Sequence, residues 1–320
     1  MEIRKAEVGE VKEIIKVMIE SGEWDEWKLS YLEEDWKTMI SNLEKIIEDE
    51  DLGIVYVIEK NDKIIGAVPL VRTGSTSLLF TCAGIIEKYK KDALTLLDRE
   101  LFEIIPSEYK IIMNYARPTS KGAVPRFLKK NFGIKDNKTM FERWNELPGF
   151  IKNSIKLSPI YCYMEKRIEK KREHSTRVVD INDVKKEISK FIASPEFLEV
   201  FDIENRDMIE KLYRKYGLQC EIKAIEDKDS LILLMNYPFG ITPSGYTSAA
   251  YFWGRNFENL IEQVENYYSS FNYRRVLCFV EEDKYYLLEK RGFSIVKPLQ
   301  QIFYFVPENR SWRRKYKELL

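Results

Sequence analysis

Few side chains in this chain are typed and spaced for covalent or metal chemistry. There is one histidine, His174, in a charged stretch near the middle. A Ser-His-Asp or Cys-His site needs its base held beside the nucleophile, which such a position does not offer. Four cysteines (Cys82, Cys162, Cys220, Cys278) are scattered without a C-x-x-C pair. Cys82, Cys162 and Cys278 sit among apolar or aromatic residues and read as small core side chains. No group of Cys, His and carboxylates has zinc-ligand spacing, so no metal is expected. Neither a P-loop nor G-x-G-x-x-G occurs among the 14 glycines. What remains is an acidic trio, Glu23, Asp25 and Glu26, in an aromatic-rich segment that could meet an amine. There is also a lysine-rich turn with Lys88, Lys90 and Lys91, and two basic stretches, 166–172 and 310–317.

The elements around these residues occur in the same order twice. In the first half a short strand at 2–5 precedes helices at 10–19 and from about 24 to 48. Strands at 54–59 and 63–71 flank Asn61-Asp62, a natural tight hairpin. A strand at 76–85, a helix at 93–105, a strand at 110–115, a helix at 123–130 and a strand at 139–144 complete the unit. The second half repeats this: strand 177–179, helices 184–193 and 206–216, a hairpin of 220–226 with 231–237, and strand 247–253. Helix 257–269, strand 275–280, helix 284–290 and strand 301–306 close it. Arg126 to Phe132 and Leu287 to Phe293 end the two copies alike. The expectation is an α/β protein of two mixed β-sheets flanked by helices, with domains at 1–150 and 176–320. A linker at 151–175 would carry a strand near 160–164 that extends one sheet or pairs the copies. The late crossovers require some parallel pairing.

This order, with the strand–loop–helix at 78–97 and the helix–turn–strand at 123–132, resembles the GCN5-related N-acetyltransferase (GNAT) superfamily, in tandem and with degenerate motifs. The resemblance implies a loop R/Q-x-x-G-x-G/A whose backbone N–H groups and helix N-terminus bind the pyrophosphate of acetyl-CoA. Ile85, Ile86, Lys88, Lys90, Lys91, Asp92, Ala93, Leu94 and Thr95 line up with it. Lys90 stands for Arg/Gln, Ala93 for the first glycine and Thr95 for the second; the lysines would act as point charges. Read without the resemblance, the same residues make a solvated basic turn capped by Asp92. The second copy, Tyr251 to Glu258, has Gly254 and Arg255 in a shorter loop, with Glu258 and Glu262 set to repel phosphate. The family's A-x-x-L-Y-x-x-x-G-F signature places Phe127 and Leu288 where a Tyr would protonate the departing thiolate, and neither can. Tyr115, at the end of the preceding strand, is the candidate general acid.

Composition narrows the partners. The 52 basic and 52 acidic side chains cancel, so no long-range field draws the chain to nucleic acid or an anionic membrane. The Lys/Glu/Ile/Tyr-rich, Gln-poor composition is one heat-adapted proteins often show. The charged, strand-like start has no signal-peptide pattern and no apolar run is long enough to span a bilayer, so the cytoplasm is expected. The functions that follow are an acyl-CoA-dependent N-acyltransferase acting on an amine, a non-catalytic binding or assembly module of the same fold, or a transferase using aminoacyl-tRNA.

Overall fold

Local patterning accounts for the opening elements. Helix α1 (Val11–Glu20) turns Val11, Ile14, Ile15 and Met18 inward at helical spacing. Helix α2 (Glu33–Glu48) does the same with Met39, Leu43 and Ile46. Strands β1 (Glu2–Lys5), β2 (Gly53–Glu59) and β3 (Ile64–Arg72) pair antiparallel. Between the last two, Asn61 and Asp62 take φ of 52° and 58°, the left-handed pair that a two-residue hairpin requires.

The structure is a computed structural model, and it describes residues 1–22, 33–80, 84–116, 155–167, 178–181, 183, 195–218, 220–227, 229–238, 246–255, 257–269, 275–281 and 283–305. After β3 come β4 (Ser77–Phe80), β5 (Gly84–Ile85), helix α3 (Lys90–Ile104), β6 (Ile111–Ala116) and the long β7 (Ile155–Arg167). Then follow β8 (Val179–Asp180), α4 (Pro195–Val200), α5 (Arg206–Lys215), β9 (Glu221–Asp227), β10 (Ser230–Pro238) and β11 (Tyr246–Gly254). Helix α6 (Glu258–Ser269), β12 (Arg275–Glu281), α7 (Tyr285–Glu289) and β13 (Ser294–Phe305) end the described chain.

All thirteen described strands belong to one mixed sheet, ordered β1-β2-β3-β4-β6-β13-β7-β12-β11-β10-β9-β8, with β5 beside β3 off this path. Only β4–β6 and β11–β12 are parallel. Their crossovers run through α3 and α6, as parallel neighbours demand. The expected mixed α/β architecture with flanking helices is present. On one face of the sheet a single apolar cluster, from Val11 and Leu43 to Trp253 and Phe279, is shared by both halves. Two smaller clusters are separate: Ile54, Ala93 and Ile112 gather under α3, and Phe257, Val264 and Leu288 under α6 and α7.

Four differences from the sequence reading have physical reasons. The strand expected at 76–85 is described as two strands, β4 and β5, both paired with β3 but with a change of register between Leu70↔Phe80 and Ala67↔Gly84, and only β4 is described as paired with β6. The helix expected from 93 begins at Lys90, after a 3-10 turn at Glu87–Tyr89. Helix α4 was passed over; it is short and opens on Pro195, whose fixed φ suits a first helical position. The last strand starts at Ser294 rather than 301, because Gly292 (φ 80°) ends the preceding turn and Phe293 is already buried. The helices expected at 123–130 and 184–193 and the strand at 139–144 lie outside the described residues.

Candidate functional site

The first half's candidate site lies where the described pairing of β4 with β6 ends. β4 pairs with β6 from Ser77↔Ile111 to Phe80↔Asn114. The chain next appears as β5, held to β3 at Gly66↔Ile85 and Ala67↔Gly84, while β6 continues through Tyr115 to Ala116. Tyr115 is thus the first residue of β6 beyond its last described pair with β4. On the other side it stands opposite Gln301 of β13. Gly84 lets the end of α1 come down onto β5: a Cβ there would lie 2.8 Å from the Met18 Cα.

β5 leads directly into the lysine-rich turn. The Ile86 N–H is bonded to the Ile65 carbonyl (3.0 Å), and Tyr89 N–H returns to the Ile86 carbonyl (2.9 Å). Lys90 N–H returns to Glu87 in the same way. Lys88 and Lys91 are exposed. The ammonium groups of Lys60 and Lys88 lie 5.0 and 4.8 Å from the centre of the Tyr89 ring. Lys90 is 3.4 Å from the Glu87 carboxylate. Ala93 is fully buried, Leu94 half-buried, and exposed Thr95 turns its hydroxyl back to the Lys91 carbonyl at 3.0 Å. Lys90 to Thr95 are therefore regular helix. Ile85 to Thr95 contain no glycine to interrupt it, and Lys, Ala and Leu are good helix formers.

A coenzyme pyrophosphate would fit this turn by charge rather than by a glycine-backed cradle. Lys88 and Lys91 are free to reach an anion at the start of α3, but the N–H groups of Ile86, Tyr89 and Lys90 already have carbonyl partners.

The corresponding place in the second half differs in its side chains. β11 is unbroken from Tyr246 to Gly254 and stays paired with β10 to its end. Gly254 (φ 104°) is required by the β9–β10 hairpin: a Cβ would strike the Asp229 carbonyl and lie 2.6 Å from the Ser230 Cα. Tyr251, Trp253, Phe279 and Phe197 stack into one buried aromatic group, with the Trp253 indole N–H donating to the Tyr161 hydroxyl at 3.3 Å. Leu288, at the expected Tyr position, is fully buried.

Other candidates are placed as follows. Cys162, Cys220 and Cys278 are buried, and burial pushes the Cys278 thiol well above its usual range. Lys166, from the first basic stretch, is held by Glu265 at 2.6 Å and by the Arg291 carbonyl at 2.5 Å. His174, Cys82, Phe127, the trio Glu23, Asp25 and Glu26, and the stretch 310–317 lie outside the described residues. Among the described residues no helix is long and apolar enough to cross a membrane. Sequence reasoning missed the group where the halves meet, centred on fully buried Arg206. Its guanidinium donates to the Thr73 and Phe201 carbonyls (both 3.0 Å) and approaches the Cys220 sulfur at 2.6 Å. An Arg opening a helix on the buried side of Ile209 and Tyr213 was its only signal.

No protein-family model and no curated protein matches this chain. Among solved structures it is similar to a protein from Thermoplasma acidophilum taken for an acetyltransferase, at 13% identity over 95% of this chain and 100% of that one (TM-score 0.44). A GCN5-related N-acetyltransferase from Kribbella flavida is 8% identical over 95% of this chain and 72% of that one (TM-score 0.40). A GNAT-family acetyltransferase from Colwellia psychrerythraea is 7% identical over 95% and 100% (TM-score 0.40). These are distant likenesses of fold and say nothing of activity. The fold is that of a mixed-sheet α/β protein whose two strand-to-helix turns differ in their side chains, the first being lysine-rich.

Proposed function

We propose that the first half binds an acyl-coenzyme A, acetyl-CoA in the simplest case, and passes the acyl group to an amine. The observation behind this reading is the lysine-rich helix start, where Lys88 and Lys91 are exposed, following a strand whose last described pair with β6 lies one position before Tyr115. The coenzyme would supply a thioester carbon activated toward an amine. The lysines would hold its phosphates as point charges. Tyr115 is the candidate donor of the proton the departing sulfur needs, since a phenol is neutral and still carries its proton at pH 7.

The competing reading, a non-catalytic binding module, draws on one observation: the turn has no glycine, and the N–H groups of Ile86, Tyr89 and Lys90 are already taken by carbonyls. Thermal unfolding with and without acetyl-CoA separates the two. A native-state ligand at a hundredfold excess over its Kd adds about 2.7 kcal/mol. The expected result is a raised midpoint that Lys88→Glu with Lys91→Glu removes, while the ligand-free midpoint stays put because both side chains are exposed. Ala93 is unsuitable for this test, since its replacement would disturb the core. No shift at millimolar ligand would leave the non-catalytic reading standing.

A further inference from the structure

We infer that the two halves exchange strands, β7 for β13, and fold only as one unit, so that the candidate site of the first half is built in part by the second. β7, the last described strand before residue 168, pairs with β12 of the second half from Arg275↔Arg167 to Glu281↔Tyr161. β13, the last strand of the second half, pairs with β6 of the first from Gln300↔Ala116 to Phe305↔Ile111. The two exchanged strands then pair with each other, from Ser294↔Glu165 to Tyr304↔Ile155. The strand order reads inward from both edges in the same sequence, and the exchange sits at its centre of symmetry. Without β13, β6 would be an open edge with a row of unpaired backbone groups.

Polar groups of the two halves hydrogen-bond across the junction. Arg206 satisfies the buried Thr73 carbonyl, and Ser77 Oγ donates to the Val200 carbonyl. Asp202 Oδ2 accepts the Ser75 N–H at 3.0 Å, and Tyr213 donates to the Arg72 and Leu52 carbonyls at 2.5 and 3.2 Å. Removing the second half would orphan the buried groups among these, and each buried orphan is costly. It would also bare Leu79, Ile111 and Met113, which share their cluster with Phe197, Val200 and Phe201. Helix α4 packs on β4 and β6, the two strands that frame the site. The surface that fits the first half is therefore the second half itself.

Hydrogen exchange on the intact chain in rising denaturant tests this without any ligand, so its outcome is independent of the acyltransferase reading. Amides of β2 and β3 and those of β10 and β11 are expected to lose protection at one common midpoint. Separate midpoints for the two sets would overturn the inference. Phe303→Pro adds a second reading, because proline removes an N–H from a strand paired on both sides. It should lower protection in β4 and β6 as much as in β12; loss confined to the second half would also overturn it.

Discussion

The two strand-to-helix turns start from similar strands and diverge within a few residues. In the first, the last described pair with β6 is Phe80↔Asn114, and the chain stays on β3, as β4 up to Leu70↔Phe80 and then as β5 at Gly66↔Ile85, before a lysine-rich helix start. In the second, the pairing with β12 reaches Phe252↔Val280, and β11 stays on β10 up to Gly254. The residue that follows the last pair is Tyr115 in the first turn and Glu281 in the second, where Lys284 takes the carboxylate. The first turn passes into a helix start with Lys88 and Lys91 exposed. The second is backed by buried Tyr251, Trp253 and Phe279. The same order of elements thus yields one turn with cations at its surface and one whose strand residues serve packing.

If the second turn is packing, its family-motif positions must behave as core. Leu288→Ala removes a fully buried side chain from the cluster under α6 and α7. It should cost about 2–5 kcal/mol, read by urea denaturation. A loss below about 0.5 kcal/mol would mean the site is looser than its burial implies. Gly254→Ala comes next. The left-handed φ and the crowding against Asp229 and Ser230 together predict a loss of roughly 1–3 kcal/mol. If alanine is tolerated there, the glycine is not held by the hairpin, and a ligand role for it reopens.

These residues also mark how far the sequence was legible. Asn61-Asp62 announced its hairpin because only a few residue types accept two left-handed positions in a row. Gly292 announced a helix end, but the strand that follows it from Ser294 was expected only from 301. The change of register between β4 and β5 was not legible, because the stretch from Thr76 to Ile85 carries no charged residue and periodicity does not say which neighbour a strand follows. The exchange of β7 and β13 was hidden for a related reason: a strand's pattern shows that it is buried on its faces, not which strand lies beside it. At the candidate site the lysines were visible at once. That Lys90 to Thr95 would be helix was predictable from their propensities, but the motif alignment favoured a loop.

Two carboxylates give the halves opposite pH responses. In the first half, Arg4 beside Glu10 (2.6 Å) holds that carboxyl below its usual range. Its contribution to stability is present above pH about 4.5 and is lost as pH falls through the lowered folded value. In the second half, burial raises Glu210, with Arg206 and the Ile222 N–H opposing in part. Its contribution is present below pH about 4.5 and is lost as pH rises through the raised folded value. Melting midpoints between pH 3 and 7 should therefore change in two ways. Glu10→Gln flattens the acid limb, and Glu210→Gln removes part of the decline toward neutrality. Identical pH profiles for both variants and the parent would refute the assignment.

The smallest effect discriminates best at the first turn. Thr95 stands where the resemblance places a glycine or alanine, yet it is exposed, helical and bonded back to the Lys91 carbonyl. Alanine has the higher helix propensity, and the back-bond slightly disfavours the helix, so Thr95→Ala should raise stability by a few tenths of a kcal/mol. Thr95→Gly should fall below that alanine variant by about 1 kcal/mol, since glycine loses more backbone entropy in a helix. If the turn is only a solvated helix start, the glycine variant shows the stability loss and nothing else. If the turn holds phosphate, the loosened backbone frees N–H groups toward the anion, and acetyl-CoA should bind the glycine variant more tightly although the protein itself is weaker. Stability and affinity then move in opposite directions on one substitution, a result that a merely structural turn has no means of producing.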